Sequence, residues 1–194
     1  MKQFSGFKSE DRKSGFGQLP AGPYVAVIKA VRLEGEEPDQ RLILRMDIAE
    51  GENTGYFLKR YKHDSEKGGK YDARYKGDFR IRIPNDENKN ALYPESDKAN
   101  FNKCIYRIEE SNPGYRWDWN EQGLVGKLVG INMQEDEYNG FRFTKIGQLE
   151  IADDVRKGIV QPMKPKVPRG DAWEPPVVDE QSGFIQVNTD EVPF

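Results

Sequence analysis

One cysteine and one histidine occur in 194 residues, and each scarcity removes a class of chemistry. With Cys104 alone no intramolecular disulfide can form, which fits a reducing compartment. A cytoplasmic location is expected, that of the host cell if the source is viral. With His63 as the only imidazole, a zinc site of the usual His/Cys kinds cannot be assembled. Ser-His-Asp catalysis would rest on that one residue, in a polar loop with no nucleophile signature. No glycine-rich stretch ends in Lys-Ser or Lys-Thr, so a phosphate-cradling loop is missing. The carboxylates Glu135, Asp136 and Glu137, or Asp153 and Asp154, read more simply as acidic surface turns than as a Mg²⁺ site. No enzymatic activity, cofactor or metal is therefore expected. No apolar run approaches the roughly 20 residues that span a bilayer. Residues 1–17 are polar and lack the apolar centre of a signal peptide, so no membrane association is expected.

What is present is a series of short segments. Apolar residues make up 36% of the chain, among nineteen glycines and twelve prolines, a composition that favours many short strands. Residues 1–22 are Gly- and Ser-rich without periodicity and are expected to form a flexible arm. Residues 24–33 (YVAVIKAVRL) are rich in β-branched side chains and predict a first strand. Leu42, Leu44, Met46 and Ile48 alternate with Arg41, Ile43, Arg45 and Asp47, the period of a half-buried second strand. Residues 56–61 (YFLKRY) are taken as a third strand. Residues 62–78 are a polar insertion, and 79–83 (FRIRI) alternate again as a further strand paired with the third. Ser96 is a good N-cap for a helix over 96–111, with Phe101, Cys104, Ile105 and Ile108 as its apolar stripe. Asn112-Pro113-Gly114 stops it. Residues 124–133 and 141–151 predict strands four and five, and Asn139-Gly140 predicts a two-residue hairpin turn. From Gln161 onward Pro162, Pro165, Pro168, Pro175 and Pro176 break up regular structure and leave a stiff linker.

The order strand-strand-strand-helix-strand-strand is that of the OB-fold, a five-stranded Greek-key barrel with a helix between strands three and four. The expected class is thus mainly β, with an OB-fold domain over 23–160. A Pro-rich linker and disordered acidic tail follow over 161–194. Other α+β folds share this order.

Charge is segregated along the chain. Residues 171–194 carry six carboxylates and no Lys or Arg, leaving 30 basic against 27 acidic side chains in 1–170. The tail closes on Asp190-Glu191-Val192-Pro193-Phe194. A ring for a hydrophobic pocket, a carboxylate for an Arg or Lys, a proline that limits chain entropy and two acids for a basic rim together make a docking tip. A frayed acidic end with no partner is the plain alternative. The tip resembles that of bacterial and phage single-stranded DNA-binding proteins. With the strand order, the Tyr-Asn-Gly hairpin and the Pro-rich linker, the chain resembles a phage-type member of that family. The resemblance implies sequence-independent coating of single-stranded DNA in replication, recombination and repair. It also implies recruitment of partner proteins through Asp190, Glu191, Val192, Pro193 and Phe194, and homo-oligomers are known among such proteins. The short linker departs from the long Gly/Gln-rich linkers of many cellular members.

Alternation suggests where the strand would lie. With the leucines of strand two inward, one outer surface can hold Arg41, Arg45, Phe57, Lys59, Tyr61, Arg80 and Arg82. Rings stack on bases and cations follow phosphates. A register slip of one residue would instead bury Phe57. In the hairpin, Tyr138, Phe141 and Arg142 are a second candidate contact, opposed by the acidic run 135–137. Lys67, Lys70, Tyr71, Arg74, Tyr75 and Lys76 in the loop 62–78 could form a flap. Trp117 and Trp119 read as a plug of the barrel end beneath the helix. The rival functions are an OB-like adaptor that binds protein and not DNA, and a cold-shock-like RNA binder.

Overall fold

The computed structural model describes residues 17–37, 39–66, 73–85, 94–138 and 141–166, with Phe141 described by its main chain alone. Five antiparallel strands form one sheet in the order β3-β2-β1-β4-β5: β1 (Gly22–Glu34), β2 (Arg41–Ile48), β3 (Asp78–Arg82), β4 (Leu128–Tyr138) and β5 (Phe141–Glu150). Helix α1 (Tyr56–Glu66) joins β2 to β3, α2 (Pro94–Glu110) joins β3 to β4, and α3 (Ala152–Arg156) follows β5. The first strand is long enough to serve two partners. Its start pairs with β4 and its remainder with β2. Strands β3 and β5 remain the two edges, so the sheet is open, and α2 packs against both of them. No helix among the described residues is long and apolar enough to cross a membrane.

The core is the inner face of this sheet. Leu42, Leu44, Met46 and Ile48 are buried there, as their alternation predicts, with Ala26, Ile28, Ile81, Val129, Ile131, Met133, Ile146 and Leu149. Helix α2 lays Phe101, Cys104, Ile105 and Ile108 onto it, the stripe read from the sequence. Burial pushes the Cys104 thiol up to about 11. Asn112 ties the end of α2 to the start of β4. Its amide donates to the Ile108 and Leu128 carbonyls (2.7 and 2.8 Å) and its oxygen accepts from the Leu128 N–H. Tyr138 pairs directly with Phe141, which leaves two residues between the strands of the hairpin.

Residues 56–61 are not a strand. They open α1, and the cause lies in the preceding strand. The Asp47 carboxylate, 3% exposed, accepts the N–H groups of Phe57 (2.9 Å) and Leu58 (3.3 Å) as well as that of Ile48. It satisfies donors that a helix N-terminus leaves open. The third strand is instead the 79–83 segment, and it pairs with β2, not with residues 56–61.

Two terminal segments are docked. Residues 17–22 were expected to be part of a loose arm. Leu19 is 1% exposed in the core, its N–H donates to the Tyr56 hydroxyl (2.9 Å), and its carbonyl accepts from Thr144 (2.7 Å). The remainder of that arm, 1–16, lies outside the described residues. The expected linker also begins as a strap. Asn132 and Gln134 donate to the carbonyls of Gln161 and Lys164 (both 2.8 Å), and Lys166 N–H donates to Glu135 (3.0 Å). The Met163 thioether lies over Gly147, where a Cβ would collide with it.

Candidate nucleic-acid interface

The interface begins with a bulge. At Lys29 the register of β1 slips by one residue against β2. Even-numbered residues of β1 face the core before the bulge and the outside after it, so Ala30, Arg32 and Glu34 stand beside Arg45, Ile43 and Arg41. On the other side of β2, the same three residues meet Asp78, Arg80 and Arg82. Cross-strand partners share a face, so nine residues form a three-by-three array on the outer surface of β1, β2 and β3. Its centre is Ile43, 1% exposed, flanked by Arg32 and Arg80. Arginine stems cover apolar surface while their heads stay wet. A lone isoleucine is thereby sealed, and five guanidinium groups are held in one layer against two carboxylates.

The carboxylates organise the array. Asp78 receives Arg45 through two bonds (2.8 and 3.1 Å) and approaches Arg32 at 3.5 Å. Glu34 lies 3.3 Å from Arg32 and 3.7 Å from Arg80, and Asp97 of α2 lies 3.4 Å from Arg82. The hydrogen bonding of Arg45 to Asp78, more than any other influence, pushes Arg45 above its ordinary pKa. Arg41 is exposed and has no ion pair among the described residues. Exposed pairs such as Arg80–Glu34 are worth about 0–1 kcal/mol, so another anion can take over the arginine at little cost.

At the β3 edge the array opens into a pocket of about 540 Å³, walled by Arg45, Tyr61, Arg74, Tyr75, Lys76 and Arg80, with Asp78 at its base. Tyr75 is the hinge of this wall. Its hydroxyl donates to the Met46 carbonyl (2.9 Å), and the Arg45 guanidinium sits 4.8 Å from its ring centre. Its ring lies 6.3 Å from Phe57 and 6.0 Å from Tyr61. Burial pushes the Tyr75 phenol up, so it stays neutral. Gly77 makes this arrangement possible, because a Cβ there would run into the Met46 carbonyl and the rings of Tyr75 and Phe57.

No protein-family model matches the chain, and no curated protein sequence matches it. The site therefore stands on its own residues. The structure brings Arg41, Arg45, Arg80 and Arg82 onto one face and adds Tyr61 from α1. It does not bring Phe57 there. That ring is 1% exposed in the core, because in a helix anchored by Asp47 the Phe57 position points under the sheet. Lys59 is exposed on α1, with its ammonium donating to the Thr54 carbonyl (2.7 Å), and does not line the pocket. Tyr138 and Arg142 are exposed on the β4–β5 hairpin, at the sheet edge opposite β3. Arg142 meets Glu137 at 3.4 Å, and Asp136 pairs with Lys145, which holds its carboxyl below the usual range. The Phe141 side chain, the loop residues Lys67, Lys70 and Tyr71, and the tip 190–194 lie outside the described residues. Sequence reasoning placed Arg74, Tyr75 and Lys76 in a flap; they are part of the wall. It omitted Arg32, since no local residue pattern announces the bulge at Lys29. Trp117 packs against the core as a plug would, but Trp119 is 71% exposed.

Proposed function

We propose that this chain binds single-stranded DNA without sequence preference, along the arginine array and into the adjoining pocket. The observation that carries the reading is the pocket wall, in which two tyrosine rings alternate with three arginines and a lysine around one carboxylate. Rings need unstacked bases, which a duplex does not offer, and stacking on them is worth about 1–3 kcal/mol per base. Arg41, Arg74, Lys76 and Arg80 supply phosphate contacts, and cation-to-phosphate contacts carry no sequence information. The strand order supports an OB-like architecture. The first strand is shared between two halves, a helix lies between strands three and four, and α2 touches both unpaired edges. On this reading the protein coats exposed strands during replication, recombination or repair. Asp190, Glu191, Val192, Pro193 and Phe194 recruit partner proteins, a role carried by their sequence alone.

The test is a salt titration of oligothymidylate binding, followed by fluorescence anisotropy. Four phosphate contacts on a single strand give a slope of log K against log salt of about −3. Undetectable binding at low salt would reject the reading and leave a protein-binding adaptor as the function.

A further inference from the structure

We infer that Trp119 is a second stacking platform for a nucleobase, placed where the strand leaves the arginine array. The inference rests on the single-strand reading above and extends it to a segment outside the array and pocket.

Trp119 is the only non-glycine residue with positive φ among the described residues, at 65°. L-residues with side chains adopt that conformation at a cost, and strain of this kind persists where surrounding bonds hold it. Those bonds are present on both sides. Trp117 N–H donates to the Glu109 carboxylate (2.7 Å), Asn120 N–H to Asp118 (3.1 Å) and Gln122 N–H to Asn120 (3.1 Å). The held turn does not bury the indole. It lays it almost parallel to the Phe101 ring, 5.9 Å between centres at 11°, and leaves the residue 71% exposed. Trp117 adds a tilted ring at 6.0 Å. One indole face is therefore backed by a core phenylalanine and the other is open to a planar partner.

The platform is continuous with the array. Phe101 lies one helical turn from Asp97 on α2, so the two share a face, and Asp97 holds Arg82 at 3.4 Å. Arg82 ends the outer row of β3 at the side away from the pocket, since β3 runs from Asp78 at the pocket to Arg82. A strand whose first bases occupy the Tyr61–Tyr75 pocket and whose phosphates follow Arg80, Arg41 and Arg82 is thus delivered towards α2 and the Trp119 ring. A planar base is the occupant that fits an open ring at the end of a cationic path.

The experiment uses the full chain and fluorescein-labelled oligothymidylates of about 4 and about 16 nucleotides, the range of lengths one small domain covers. Trp119→Ala is expected to leave the short oligomer's affinity unchanged and to weaken the long one about tenfold. Trp119→Phe should recover most of that loss. Independently of any variant, photocrosslinking of a 5-iodouracil-bearing long oligomer to the wild-type chain should mark Trp119. Equal affinity of wild type and Trp119→Ala at both lengths, with no crosslink at this residue, would overturn the inference while leaving the pocket reading intact. A wild type that binds neither oligomer would remove both.

Discussion

Phe57 and Tyr61 are four residues apart, and that spacing places them on the same side under either a strand or a helix period. The sequence therefore identifies the pair as co-facial while leaving open what they face. The structure separates them by depth. Phe57 is sealed beneath the sheet and Tyr61, one turn further out, is 38% exposed, with Tyr75 in contact with both rings. Their substitutions should part accordingly. Phe57→Ala removes a core ring and is expected to cost about 3–5 kcal/mol of stability, read from denaturant unfolding. Tyr61→Ala should change stability by less than about 1 kcal/mol and weaken oligothymidylate binding by about 1–3 kcal/mol. A Tyr61→Ala protein that is as stable and binds as tightly as wild type would remove this ring from the site.

Helix α1 exists because of a residue nine positions before its start. Asp47 is by sequence an outward-facing position of β2, yet it is buried and gives its lone pairs to the first turn of α1. Asp47→Ala leaves three backbone N–H groups without that acceptor and is expected to destabilise the fold by about 2–3 kcal/mol. It should also weaken binding, because α1 carries Tyr61 to the pocket. Asp47→Asn keeps an acceptor oxygen and should retain most of both. A melting temperature for Asp47→Ala equal to that of wild type would show that the cap is dispensable. The same contact explains what was legible in the chain. Helix α2 and the β4–β5 hairpin are specified locally, by a 3.6-residue stripe and by Asn139-Gly140, and both were readable. Helix α1 is set by a long-range cap, and short apolar runs such as YFLKRY fit either period; the lack of any Val, Ile or Thr in residues 56–66 was the one signal against a strand. The four arginines of the array followed from alternation, whereas Arg32 and the Tyr75 wall depend on a bulge and on a loop folding back, neither of which has a local pattern.

For the whole molecule, the decisive feature is how the chain leaves the sheet. Strand β1 stops pairing with β4 at Met133, which leaves the next part of β4 without a neighbour on that side. The strap crosses β4 and β5, held by the Asn132 and Gln134 side chains and by Met163 over Gly147, and reaches this gap where the Lys166 N–H donates to the Glu135 carbonyl. An unpaired strand edge invites association with another chain, and here the protein's own extension occupies it at Glu135. At Lys166 the strap has reached the hairpin half of β4, across the sheet from the β3 pocket. Two truncations separate these roles. Ending the chain after Lys166 removes the acidic tail alone. It should leave stability unchanged and strengthen oligothymidylate binding slightly at low salt, because six carboxylates are lost. Ending it after Val160 removes the strap as well. That protein should lose about 1–3 kcal/mol of stability, through three hydrogen bonds and the Met163 contact, and amide exchange should speed up specifically over 134–138. It should also self-associate with rising concentration in analytical ultracentrifugation, as the bare edge finds a second copy. If the shorter protein matches the longer one in unfolding, exchange and sedimentation, the strap neither stabilises nor shields the β4 edge.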